Sequence, residues 1–91
     1  MSLDLDIRLL RAFIVIAECR SVSRAAVTLG YSQSAMSQQL ARIERWAGTT
    51  LFDRTHSGMR LNAQGQALHG PAQDIVKILD EFLMSAENGP S

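Results

Sequence analysis

Ninety-one residues with 46% hydrophobic and 20% charged side chains suit one globular domain, or one domain with an appendage, and exclude a two-lobed enzyme. Nine basic residues cancel nine acidic ones, which excludes a nucleic-acid binder working by bulk charge alone, and the composition lies far from the signature of disorder. No apolar run reaches the roughly 18–20 residues of a membrane span, the Met-Ser-Leu-Asp-Leu-Asp start lacks the basic flank of a signal peptide, and Cys19 has no disulfide or thiolate partner. A cytoplasmic chain is expected, with Cys19 as a small buried apolar residue.

Ile7, Leu10, Phe13, Ile14 and Ala17 recur at steps of three and four, with Leu9 and Ile16 widening the stripe, which predicts a helix from about Asp6 to Cys19. Val22 to Leu29 reads as a second, short helix with Ser23 placed to cap it, Ala25 and Ala26 allowing close approach, and Gly30 suited to a left-handed stop. Ser32 can cap a third helix, about 32–47, whose core stripe is Met36, Leu40, Ile43 and Ala47 and which ends at Gly48. Leu51 to Arg54 and Met59 to Leu61 are short enough for two strands joined through Ser57-Gly58, a hairpin wing over 52–61 with Arg54, His56 and Arg60 near its tip. Asn62 then caps a last helix whose apolar residues Leu68, Ala72, Ile75, Leu79, Phe82 and Ala86 alternate steps of four and three, a coiled-coil seam. Pro71 inside it should bend the helix or split off its first turns. The resulting division is a domain over 1–61, a linker and dimerisation helix over 62–87, and a disordered end over 88–91.

Charge is unevenly spread. Residues 20–60 carry six arginines against Glu44 and Asp53, a net +4, while residues 1–19 stand at −1 and 61–91 at −3. At about 100° per residue, the third helix turns Ser34, Ser37, Gln38, Ala41, Arg42 and Arg45 away from its apolar stripe, with Gln33 in its first turn. A surface helix ordinarily mixes Glu and Lys for pairing; this face is polar, short-armed and nearly free of acid. Two short helices joined tightly, the second bearing such a face, match the helix-turn-helix plan, in which the second helix enters the major groove.

The stretch Ala25-Ala26-Val27-Thr28-Leu29-Gly30-Tyr31-Ser32-Gln33-Ser34-Ala35-Met36-Ser37-Gln38-Gln39-Leu40, followed by Ile43-Glu44, Gly48 and Leu51-Phe52-Asp53-Arg54, closely resembles the N-terminal DNA-binding domain of LysR-type transcriptional regulators. The resemblance extends over nearly the whole chain. It implies a mainly α fold, a winged helix-turn-helix followed by a long linker helix through which two copies pair on double-stranded DNA in the bacterial nucleoid. Family members also carry a C-terminal effector-binding domain, so the chain looks like an isolated DNA-binding fragment, with any small-molecule effector acting through a domain not present in it. Carried over by position, base-reading residues fall on Gln33, Ser34, Ser37 and Gln38, and the wing arginine on Arg54. Gln38 departs from the arginine often found there, and an amide favours adenine where arginine favours guanine. Trp46-Ala47 and Asn62-Ala63 also depart from the family pattern, as changes of packing and capping, and Pro71 has counterparts that favour a bent helix over a broken one.

With DNA as the partner, Arg24, Arg42, Arg45, Arg54 and Arg60 would mainly contact phosphate, joined by Ser32 and His56, and Arg54 or Arg60 could instead enter a narrow minor groove. One of the five arginines could instead pair within the chain with Glu44 or Asp53. Catalysis and cofactors find no footing: His56 and His69 have no Cys or acidic neighbour at zinc spacing, and the pairs Asp4/Asp6 and Asp80/Glu81 fall at a terminus and on a helix surface. Gly58, Gly65 and Gly70 form no phosphate cradle. The competing possibility is a protein-interaction module in which the 68–86 seam binds a partner helix.

Overall fold

The computed structural model describes residues 5–89; Asp4 and the last two residues of the expected 88–91 end lie outside them. Helix α1 (Ile7–Cys19) opens on Asp6, whose carboxylate accepts the Leu9 N–H at 3.1 Å, and closes on Arg20 in the left-handed region, φ 57°. Helix α2 (Val22–Leu29) follows after two residues. Its cap is Ser21, whose Oγ accepts the Arg24 N–H at 3.1 Å, and not Ser23 as the sequence suggested. A capping side chain must precede the first helical residue to reach back to the third, so a helix beginning at Val22 leaves Ser23 exposed in its first turn. Helix α3 (Gln33–Ala47) is capped by Ser32 and stopped by Gly48, as expected.

The three helices close around Leu9, Phe13, Ile16, Ala25, Ala26, Met36, Leu40 and Ile43, all buried. Leu51 and Phe52 enter the same core from the wing side, and Phe13 meets Phe52 edge to face at 5.6 Å. Cys19 is only half-buried, its Sγ 3.8 Å from Thr28 Oγ1 at the rim of this core.

Strands β1 (Phe52–Thr55) and β2 (Gly58–Leu61) form an antiparallel pair in which Phe52 faces Leu61, Asp53 faces Arg60, Arg54 faces Met59 and Thr55 faces Gly58. The loop is therefore His56-Ser57, one residue earlier than expected. Positive φ does fall on Gly58 (115°), but as the first residue of β2. Neither loop residue has positive φ, so the turn is not one of the primed types.

Helix α4 (Ala63–Glu87) is capped by Asn62 and continues unbroken through Pro71, whose ring faces solvent. Its first half lies on the core: Gly65 and Ala72 are buried, and Leu68 and Val76 pack against the core. Gly65 allows the approach, since a Cβ there would run into the Leu51 carbonyl. From Asp80 to Gly89 every residue is exposed, Phe82, Leu83 and Met84 among them. The expected seam thus divides. Ala72 is consumed by the chain's own core and Leu68 packs against it, while Leu79 is half-buried and Ile75, Phe82 and Ala86 remain open, joined by Ile78. The overhang stretches the molecule to 52 Å and raises the radius of gyration to 14.2 Å, against about 12 Å for a compact chain of this length. Asn88 N–H still bonds to Met84 O at 3.0 Å, so the helical hydrogen bonding reaches the beginning of the expected frayed end.

Candidate nucleic-acid interface

On α3 the core residues Met36, Leu40 and Ile43 fix the rotation of the helix, and that rotation sends Gln33, Ser34, Ser37, Gln38, Ala41, Arg42 and Arg45 outward, every one of them exposed. Ser32 Oγ accepts the Ala35 N–H at 3.1 Å and lies 3.3 Å from Ser34 Oγ. The first intrahelical bond is Met36 N–H to Ser32 O, so the amides of Gln33 and Ser34 precede the ladder at the positive end of the helix dipole. No acidic side chain occupies that first turn. An N-terminus without an acid is open to a phosphate.

The wing adds a second edge. Side chains alternate across a strand while directly opposed residues share a face. Phe52 and Met59 are buried, so Arg54, opposite Met59, belongs to the ribbon's inner face. Asp53 and Arg60 lie opposite each other on the outer face. The two wing arginines are therefore not equivalent. Arg54 lines a cleft with Gln33, Ser23, Ser21 and Arg20, between the start of α3 and the wing, whereas Arg60 looks away from it beside an acid. His56 sits exposed in the loop and Arg24 exposed on α2.

At the start of α1, Arg8 Nη2 lies 3.6 Å from the Asp6 carboxylate. That carboxyl is held below its ordinary 3.8 mainly by the Leu9 N–H bond, against some desolvation, with smaller contributions from the charges of Arg8 and Arg42. Arg45 lies in the last turn of α3, where its charge also suits the negative helix end. Glu44 turns inward: its Oε2 accepts the Leu51 N–H at 2.6 Å, and Leu51 O accepts the Asn62 N–H at 3.0 Å. Asn62 Nδ2 donates to Thr50 O at 2.8 Å. One knot of bonds thus joins the end of α3, the wing base and the start of α4.

Sequence reasoning missed the parts played by Arg20, Ser21 and Glu44. Ser21 was legible as the last polar residue before Val22. Arg20 and Glu44 act through residues 37 and 7 positions away, for which the sequence offers no local signal. His69 is half-buried, its ring meeting Phe13 edge to face at 6.0 Å. Among the described residues, no group of three or more His, Cys, Asp or Glu side chains could hold a metal ion, and no helix is long and apolar enough to cross a membrane.

Three short helices, the third offering an exposed acid-free face, with a two-stranded ribbon beside it and a long helix behind, define a winged helix-turn-helix domain. Residues 7–66 match the family of bacterial regulatory helix-turn-helix proteins of the LysR type, and the chain belongs to that family. It is 48% identical over 80 residues to the transcriptional regulator DgdR of Burkholderia cepacia, covering 88% of this chain and 27% of that one. A mutant of OxyR from Corynebacterium glutamicum superposes with a TM-score of 0.90 at 29% identity, over 94% of this chain and 28% of its own. The DNA-binding domain of CbnR, solved in complex with DNA, superposes at 0.83 with 28% identity, over 92% of this chain and 97% of its own. The chain thus spans about a quarter of the length of DgdR and nearly all of the isolated CbnR DNA-binding domain.

Proposed function

We infer that this chain binds double-stranded DNA in a sequence-specific manner as the DNA-binding part of a bacterial transcriptional regulator. The observation that carries the inference is the exposed, acid-free face of α3, its first-turn amides open beside the Arg54 cleft. The likeness to the CbnR domain in its DNA complex supports it. In this reading Gln33, Ser34, Ser37 and Gln38 meet base edges in the major groove. Ser32, Arg24, Arg42 and Arg45 hold phosphates beside them, and Arg54 with His56 reaches the backbone or the minor groove across the cleft. Arg60, facing Asp53, contributes least. The chain works where bacterial DNA lies, in the cytoplasm, and no step of this role is catalytic.

Two copies would pair through α4. The exposed Ile75, Ile78 and Phe82 recur at steps of three and four, and they run into a shallow apolar hollow lined by Trp46, Leu68, Pro71 and Ile75. An exposed stripe of this kind needs cover, and a symmetric pair would present two recognition helices to successive major grooves.

The deciding experiment is affinity selection from random duplexes with the purified chain, followed by sequencing. Enrichment of a two-fold-related motif is expected; a pool that stays random while the protein remains folded would sink the sequence-specific reading.

A further inference from the structure

Helices α2 and α3 both stop on glycine in the left-handed region, Gly30 at φ 75° and Gly48 at φ 76°, but α1 stops in the same region on Arg20, at φ 57°. Glycine adopts that conformation freely and arginine does not. The exception directs attention to what the Arg20 side chain touches.

Arg20 makes two links to the wing, one through its backbone carbonyl, which any residue would offer, and one through its guanidinium. Its carbonyl accepts the Met59 N–H at 3.0 Å, and Gly58 comes so near that a Cβ on it would collide with that same oxygen. Its Nη2 donates to Ser57 Oγ at 3.1 Å. Ser57 Oγ lies 3.1 Å from Thr55 Oγ1, which donates to Gly58 O at 2.9 Å. With one proton per hydroxyl, the relay has a single direction: guanidinium to Ser57, Ser57 to Thr55, Thr55 to the Gly58 carbonyl. Both ends of the wing tip are thereby fastened to the turn between α1 and α2. A two-stranded ribbon is marginal by itself, so its angle depends on what it rests on: Phe52 and Met59 in the core, and Arg20 beneath its tip. Arg54, next to Thr55 in β1, shares the cleft with Gln33 of the recognition helix.

We propose that Arg20 is a positioning residue for DNA recognition, seating the wing tip through its carbonyl and guanidinium so that Arg54 and Gln33 meet one duplex at a fixed separation. The proposal rests on the DNA-binding reading above and adds to it a residue that acts by holding the wing.

The test compares the wild type with Arg20→Gly, which keeps the left-handed backbone and removes the guanidinium, with Ser57→Ala, which removes its acceptor, and with the double variant. Each is made with and without Arg54→Ala, titrated with the selected duplex at several salt concentrations, and melted in parallel. Both single variants should melt within about 3 °C of the wild type and bind about three- to tenfold more weakly, the worth of one hydrogen bond. The double variant should be no weaker than either single, and the losses should vanish in the Arg54→Ala background, since what is lost is the placement of Arg54. A direct phosphate contact by Arg20 gives a different pattern: Ser57→Ala is silent, Arg20→Gly lowers the salt slope by about one per protomer, and its loss persists without Arg54. That pattern, or Arg20→Gly binding like the wild type, overturns the positioning role alone. A wild-type chain that binds no duplex overturns the DNA-binding reading itself.

Discussion

Gln33 and Gln38 occupy different levels of α3, one in the first turn beside the cleft and the other a little over a turn later on the open face. A glutamine amide pairs in bidentate fashion with adenine, each good pair being worth about 1–3 kcal/mol of discrimination. Gln33→Ala and Gln38→Ala should therefore flatten the preference at one base position each, read by repeating the duplex selection. Arg54→Ala should weaken specific and random DNA alike, because a phosphate contact carries no sequence information. At the other end of the domain, Asp6 caps α1 with a carboxyl whose pKa is lowered chiefly by the Leu9 N–H bond. A depressed carboxyl contributes stability above its unfolded pKa and loses it as pH falls through the folded value. Asp6→Ala should thus cost about 1 kcal/mol at pH 7, and the gap between variant and wild type in urea melts should shrink as the pH falls below about 4. Asp6→Asn, a cap without a charge, should start from a smaller gap at pH 7 and shift with pH by the same amount, because the titrating group is the wild-type carboxyl.

Among elements, the helices were legible because a 3.6-residue apolar rhythm fixes both type and rotation; Met36, Leu40 and Ile43 alone determine which side chains of α3 face outward. The hairpin was legible to within one residue, since Gly58 announces positive φ without saying whether it lies in the turn or just after it. The last helix was read less well for a physical reason. Leu68, Ala72, Ile75, Leu79, Phe82 and Ala86 mark apolar stripes, but spacing does not say whether a stripe meets its own chain or another molecule. Gly65, Leu68, Ala72 and Val76 meet their own core, and Ile75, Ile78 and Phe82 do not. Phe82, 67% exposed, marks the difference. Phe82→Asp should leave the melting temperature of a monomeric sample unchanged and weaken self-association by at least about tenfold in sedimentation equilibrium, since burying a phenylalanine is worth about 1.5–3 kcal/mol. Unaltered association would place the pairing surface elsewhere.

For the molecule as a whole, zero net charge conceals a division: the basic stretch 20–60 holds α2, α3 and the wing, and all four acids of the C-terminal stretch lie on α4, away from the proposed groove. Part of that acid is paired within the chain: Arg11 Nη2 of α1, outside the basic stretch, bonds Asp80 at 2.7 Å. If a pair of chains neutralises on the order of eight phosphates, log K should fall against log salt with a slope near −7, and fluorescence titration over a range of salt reads it directly. A slope near zero would mean that the arginines do not meet phosphate. The sequence could not supply the long-range fastenings, Arg20 to Ser57 and Glu44 to Leu51, because each depends on the fold having already brought distant segments together.

Helix α4 leaves the domain capped by Asn62, which also bonds Thr50, and carries its bare apolar side chains well beyond the last core contact. In a symmetric pair such an arm works as a caliper: the overlap of the two arms sets how far apart the heads stand. Sliding that overlap by one helical turn, about 5.4 Å along each axis, is a sizeable fraction of the ~34 Å repeat of the double helix. The spacing of half-sites along a promoter would then be written in the side chains of the arm, at positions that never approach a base.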